Sequence, residues 1–336
     1  MKNLIIMAAQ LTMFAAGDTH GFDMNTQTTG SAGMSAEMKT YYSDYLIDNA
    51  KPNLVHDQFG QKHPIPRNGG KTIEFRKYKP FDKAVTPLRE GITPDGGSLT
   101  VTTLESTVDQ YGYYVTLSDM LIMTAIDNNL VEATKLLGAQ AGVTLDTITR
   151  EVLSGGTNVM YSGQKMSREA VGESDKLTVD DIYRAARALK SQNTPKIDGS
   201  YVAIIHPDVA YDLMRNEEWI DVHKYSATNE IFEGEIGKIA GVRFVESTEA
   251  KIFAEAGSGG KDVYSTLVLG ANAYGVTEIT GGGLEHIAKQ LGSGGTADPL
   301  NQRATAGWKA TKTAERLVEN YMIRIESAST FDSGAN

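Results

Sequence analysis

The chain has 336 residues, 40% hydrophobic and 22% charged, with a formal net charge of -10 and no cysteine. That length suits two domains that share contacts, and the composition is that of an ordinary soluble globular protein with a sizeable core. The missing cysteines exclude disulfides, thiolate nucleophiles and Cys-ligated zinc. The acidic balance, with no run of Lys and Arg, excludes a dedicated reader of nucleic acid, whose phosphate contacts need a basic stripe.

Met1 to Ala16 imitates a secretory signal, with Lys2, an apolar stretch and Ala15-Ala16-Gly17, but one charge precedes the apolar part and Gln10 and Thr12 interrupt it. A short apolar or helical arm is the expectation. No other stretch approaches the ~18 apolar residues of a membrane span, so no membrane is expected. Asp18 to Ser35 has no apolar period and reads as an extended arm. A short helix with Tyr41, Tyr42, Tyr45, Leu46 and Ile47 follows, interrupted by Pro52.

In Lys71 to Lys79, Ile73 and Phe75 alternate with Glu74 and Arg76, which predicts a strand with one buried face. A second strand is predicted from about Leu99 to Leu117, with Tyr111, Tyr113, Val115 and Leu117 on one side. The connection between them, Phe81 to Ser98, is far longer than a hairpin turn needs. Loops of that length are usually functional or disordered, and its mixed charges (Asp82, Lys83, Arg89, Glu90, Asp95) suit docking on another surface.

After a Ser118-Asp119 cap, Leu121, Ile122, Ala125, Ile126, Val131, Leu136, Leu137, Leu145, Ile148 and Val152 recur at threes and fours until Gly155-Gly156. A continuous helix there would span about 50 Å and act as a strut. A second helix starts at Thr178, with Asp181 in the capping-box position and Ile182, Ala185, Ala186 and Leu189 as its stripe. Tyr201 to Ile205 reads as a buried strand, and His206-Pro207 opens a helix with Val209, Leu213 and Met214 inward. Gly241–Glu246 and Ser265–Gly270 read as further strands between glycine-rich loops. Leu317 to Ser327 alternates and is expected to return to the domain of the earlier strands.

Motifs for chemistry fail one by one. Gly70-Lys71-Thr72 lacks the upstream glycine of a phosphate-binding loop, Ile65 standing there, and strand rather than helix is predicted after Lys71. The six histidines form no H-E-x-x-H pair; His56 and His63 flank a loop but lack two further ligands, and His206 reads as a strand-end hydrogen-bonding group. Asp180-Asp181 sits where a helix dipole favours negative charge, and no Gly-x-Ser-x-Gly elbow occurs. No catalytic, cofactor-binding or metal residue is nominated.

Five segments carry a resemblance: Gly70-Lys-Thr-Ile-Glu-Phe75, Gln110 to Asp119, Ile205 to Leu213, Gly234 to Glu246, and Asp298 to Arg303 with Gly307-Trp-Lys309. Together, in this order, they resemble the tailed-phage major capsid fold, the Hong Kong ninety-seven type shared with herpesvirus shells, and within it the coat protein family of the coliphage N-four. The resemblance implies an α+β subunit with an N-terminal arm (1–70), an extended loop hairpin lying across a neighbour (71–117), a peripheral domain with a spine helix (118–194), an axial domain (195–309) and a return strand with tail (310–336). It implies self-assembly through pentamers and hexamers into an icosahedral virion capsid around double-stranded DNA, bound without sequence specificity. Assembly would take place in the host bacterial cytoplasm, with a separate scaffolding protein, a portal and decoration proteins as possible partners. Phe81, Lys83, Arg89, Glu90 and Asp95 are the candidate subunit contacts. Competing readings are a secreted surface or adhesion protein, from the signal-like start, and a hydrolase with a non-standard site.

Overall fold

The computed structural model describes residue 46, residues 49–50, 54–64 and 71–336, except 79–80, 86, 89, 92, 94–95, 125–128, 224–236, 278–282 and 296–297. The signal-like start, the arm before residue 46, Arg89 and Asp95 lie outside the described residues.

The larger core surrounds a seven-stranded sheet. Its strands are β5 (Val159–Tyr161), β6 (Tyr201–Ile205), β7 (Lys238–Ile239), β8 (Val242–Glu246), β9 (Ile252–Phe253), β10 (Val263–Leu269) and β15 (Met322–Ser327). They run in the order β5-β15-β10-β6-β8-β7, with β9 added to β10. All residues of β6, β10 and β15 are buried: β6 is a continuous apolar run, as a strand covered on both faces allows, whereas β15 carries Arg324 and Glu326 inside, paired with each other. One face packs against Ile182, Ala185, Ala186 and Leu189 of α3 (Val179–Ser191) and against Val209 and Leu213 of α4 (Pro207–Met214). The other face, with Ile204, Leu267 and Leu269, meets Leu153 at the end of α2 (Asn129–Ser154) and Tyr274 and Val276 of β11 (Tyr274–Thr277). With β1 (Gln61–His63) and β14 (Ala314–Arg316), β11 forms a three-stranded sheet on that side.

A second core lies under another three-stranded sheet, β12-β13-β4, built from β4 (Asp109–Ser118), β12 (Leu284–Lys289) and β13 (Arg303–Lys312). Ala306, Trp308 and Ala310 of β13 and Leu284 pack on Leu137, Ala141 and Leu145 of α2. Trp308 donates from Nε1 to Gln140 Oε1 at 2.8 Å. Its neighbour Lys309 turns to solvent, as adjacent strand residues must. Gly138 lets the backbone at Leu46 come close, because a Cβ there would stand 2.8 Å from the Leu46 carbonyl oxygen. One helix therefore serves both cores, its middle on the small sheet and its last turn on the large one. The 26 residues of α2 span about 39 Å, less than the roughly 50 Å expected of a helix continuous from Asp119, and residues 125–128 are not described.

Three expectations change. The strand that returns to the earlier strands is β13, which pairs with β4 over ten positions from Arg303↔Ser118 to Lys312↔Asp109. The later strand, β15, lies instead between β5 and β10, and α3 shares its core, so both belong with the 201–269 region. The range 1–70 is not arm throughout: Leu54, His56 and Asp57 are buried, and β1 pairs in parallel with β11. Finally, Met214, expected inward, is 40% exposed, and Leu121, Ile122 and Leu136 of the helical period are exposed too, Leu136 by 68%.

Candidate assembly surfaces

The predicted hairpin forms from β2 (Thr72–Tyr78) and β3 (Val101–Thr107), in register from Thr72↔Thr107 to Tyr78↔Val101. Among the described residues these strands pair only with each other, a ribbon about 23 Å long at 3.3 Å per residue. Its root is fixed. Phe75 is fully buried against Gly275, where a Cβ would approach the ring to 2.3 Å, and the His63 ring meets it edge-on at 4.7 Å. Ser106 Oγ lies 2.7 Å from Thr313 Oγ1, and Val108 N–H donates to the Lys71 carbonyl at 2.7 Å.

Beyond the root the ribbon has no strand partner among the described residues. Phe81, Val85, Leu88 and Leu99 are 67%, 80%, 79% and 60% exposed, and Lys83 and Glu90 are exposed beside them. A two-stranded ribbon is marginal in water by itself, and apolar side chains clustered on an exposed loop mark an interaction site or an aggregation hazard.

A second apolar surface was not anticipated. Helix α1 (Asp119–Thr124) exposes Met120, Leu121, Ile122 and Met123, the last by 75%. Ser118 Oγ accepts from Leu121 N–H at 3.2 Å, so the predicted cap is present. The Asp119 N–H donates to the Gln302 carbonyl, bringing the exposed Leu300 to the same end of the sheet. An open trough of about 570 Å³ at the β12-β13-β4 sheet is lined by Tyr113, Tyr114, Ile287, Lys289 and Lys309. Tyr113, on one side of the strand with Tyr111, Val115 and Leu117, is 55% exposed.

Histidines and carboxylates go to structural work. His206 caps α4, its Nδ1 accepting from Asp208 N–H at 3.2 Å, and burial lowers its pKa. Thr178 and Asp181 make the reciprocal capping box. Burial likewise lowers the pKa of His63 and His286. His56 and His63 part company, His63 to Phe75 and His56 to Asp146 on α2. Among the described residues, no group of three or more His, Cys, Asp or Glu side chains could hold a metal ion, and no helix is long and apolar enough to cross a membrane.

A buried charged tie escaped sequence reading. Asp146 accepts from His56 N–H at 2.7 Å and lies 2.6 Å from His56 Nδ1. Asp57 takes the Lys312 ammonium and the Thr149 hydroxyl, and Tyr274 donates to the His56 carbonyl. Burial, then the charges of Asp57 and Asp146, push the Tyr274 phenol well above its usual range. The tie fastens residues 54–63 between α2 and β11. These partners lie up to 255 positions apart, so no local pattern announces them.

Against known proteins, the family model described as phage capsid protein matches residues 101–320. No curated protein matches the chain in sequence. Among solved structures, the capsid of Ralstonia phage GP4 superposes with a TM-score of 0.62 at 17% identity, covering 80% of this chain and 86% of that one. The capsid of cyanophage P-SCSP1u gives 0.61 at 17% identity, with 82% and 89% covered. A virus-like particle from Pyrococcus furiosus gives 0.50 at 12% identity, with 86% and 99% covered. The fold is thus the one expected, that of tailed-phage major capsid proteins. With more than half of its length matched by the family model, the chain belongs to the phage capsid protein family and is a subunit of a virion shell.

Proposed function

We propose that the chain closes into an icosahedral shell of pentamers and hexamers around the double-stranded DNA of a tailed phage, assembling in the host bacterial cytoplasm. The observation that carries this reading is the β2–β3 limb. It is rooted by Phe75 and bare at Phe81, Val85 and Leu88, so most of its apolar surface is left for a neighbour. In this reading the limb lies across the adjacent subunit, with Phe81, Lys83, Arg89, Glu90 and Asp95 as its contacts. The region around α2 and the β12-β13-β4 sheet is the peripheral domain, and the seven-stranded unit meets its copies around the shell's axes. Heterologous contacts of this kind close into rings. Mixed charges on the limb set register more than affinity.

In this reading a separate scaffolding protein guides assembly, and portal and decoration proteins are partners of the finished shell. On the same reading the subunit acts as a wall, without catalysis. Negative-stain microscopy of purified protein tests the proposal. Closed shells, tubes or capsomer rings are expected; dispersed monomers at every salt and crowding condition would overturn it.

A further inference from the structure

The segment Ser329–Asn336 has no regular secondary structure, and its Ser, Thr, Gly and Asn composition is that of a frayed tail. Yet its donors are met one after another by carboxylates of the α/β unit. Asp212 of α4 accepts from Ser329 Oγ at 2.8 Å, from Thr330 N–H at 2.7 Å and from the Thr330 hydroxyl. Asp208, one turn earlier, accepts from Ser333 Oγ at 2.5 Å. Asp262 accepts from Gly334 N–H at 2.8 Å, and the Tyr264 hydroxyl accepts from Ser333 N–H at 3.1 Å. Asn336 ends the run by copying a strand with its side chain: its amide donates to the Thr248 and Ala250 carbonyls at 3.0 and 2.7 Å and accepts from Ile252 N–H at 3.2 Å.

We infer that Ser329–Asn336 is a detachable clasp, docked in a groove of aspartates on α4 and the β10 approach, that opens as one unit when its hold on Asp212 is lost. Two features argue for detachment. The hold is mainly polar, with the Lys261–Asp332 ion pair at 2.8 Å and one edge-on ring contact of Phe331 on Tyr211 at 5.4 Å, and residues 330–333 stay exposed, so modest apolar burial opposes release. The ladder of β15 ends at Ser327, so opening leaves the sheet intact. The partner is therefore a hydroxyl-rich peptide, here supplied by the chain itself. Where copies form a shell as proposed above, an open clasp would give α4 a second surface to present to neighbours.

Amide hydrogen exchange on the full-length, unassembled subunit tests this without depending on assembly. Asp212→Asn weakens charge-assisted bonds, and Thr330→Val removes the hydroxyl that bonds Asp212 and accepts from the Lys176 ammonium at 2.6 Å. In both, exchange at Thr330, Ser333 and Gly334 should rise together, by about tenfold or more, while β10 and β15 keep their protection. Thr330→Ser should behave as the parent. Protection retained at Ser333 and Gly334 in both weakened variants, loss confined to Thr330, or a parent segment already exchanging like a free peptide would overturn the clasp; protection of β10 shows that each variant has folded.

Discussion

The seven-stranded sheet and the β2–β3 limb are both β-structure, yet they sit at opposite extremes. Every residue of β10 is buried between two layers, whereas β3 has one buried residue in seven. The sheet is complete within one chain; the limb is finished at its root and unfinished at its tip. Stability should therefore live in the sheet and association in the limb.

The sharpest way to break this contrast is to delete Phe81–Ser98. The subunit should keep its thermal melting temperature and lose shell formation entirely, read by calorimetry and microscopy on the same preparation; normal shells would mean that the limb is not an assembly element. Next in size is the buried tie. Lys312→Met leaves Asp57 without its cation and should cost about 3–5 kcal/mol in denaturant unfolding, while Asp57→Leu combined with Lys312→Met should recover most of it. A double variant no better than the single one would show that the tie does more than neutralise charge.

Leu267→Ala, in the middle of β10, should cost about 2–5 kcal/mol, against less than about 0.5 kcal/mol for Phe81→Ser on the exposed limb. Equal losses would erase the distinction between the two regions. The smallest effect concerns acid. Burial raises the pKa of Asp212, but hydrogen bonds from Thr330 and Ser329 and the charge of Lys176 outweigh it and leave the value below normal. A depressed carboxylate stabilises above its unfolded value and loses that contribution as pH falls through the folded one. The Ser329–Asn336 segment should thus loosen below about pH 4, seen as faster proteolysis there while β10 stays resistant.

What sequence could reveal follows the same division. Local pattern was enough for β2, where Ile73 and Phe75 alternate with charge, for the Thr178 capping box, and for the helical period of α2. It failed where the deciding partner was distant. The Arg303–Lys312 strand is built of Ala, Thr and Gly around one Trp, a weak alternation that pairing with β4 makes decisive. Met322–Ser327 alternates like a half-buried strand, but Arg324 and Glu326 are buried and paired, with Glu326 also gripped by Arg168 at 2.7 Å. The limb was legible as a long loop between strands. The apolar turn at Met120–Met123 was not, because exposed and buried helices share the same period.

The run from β3 through Val108 into β4 and on to α1 has a mechanical meaning. Tension applied to the limb would load one covalent path, and the ten-position ladder between β4 and β13 would spread it in shear before it reached the region of α2. Shear across a ladder strains many hydrogen bonds at once, where peeling would open them singly.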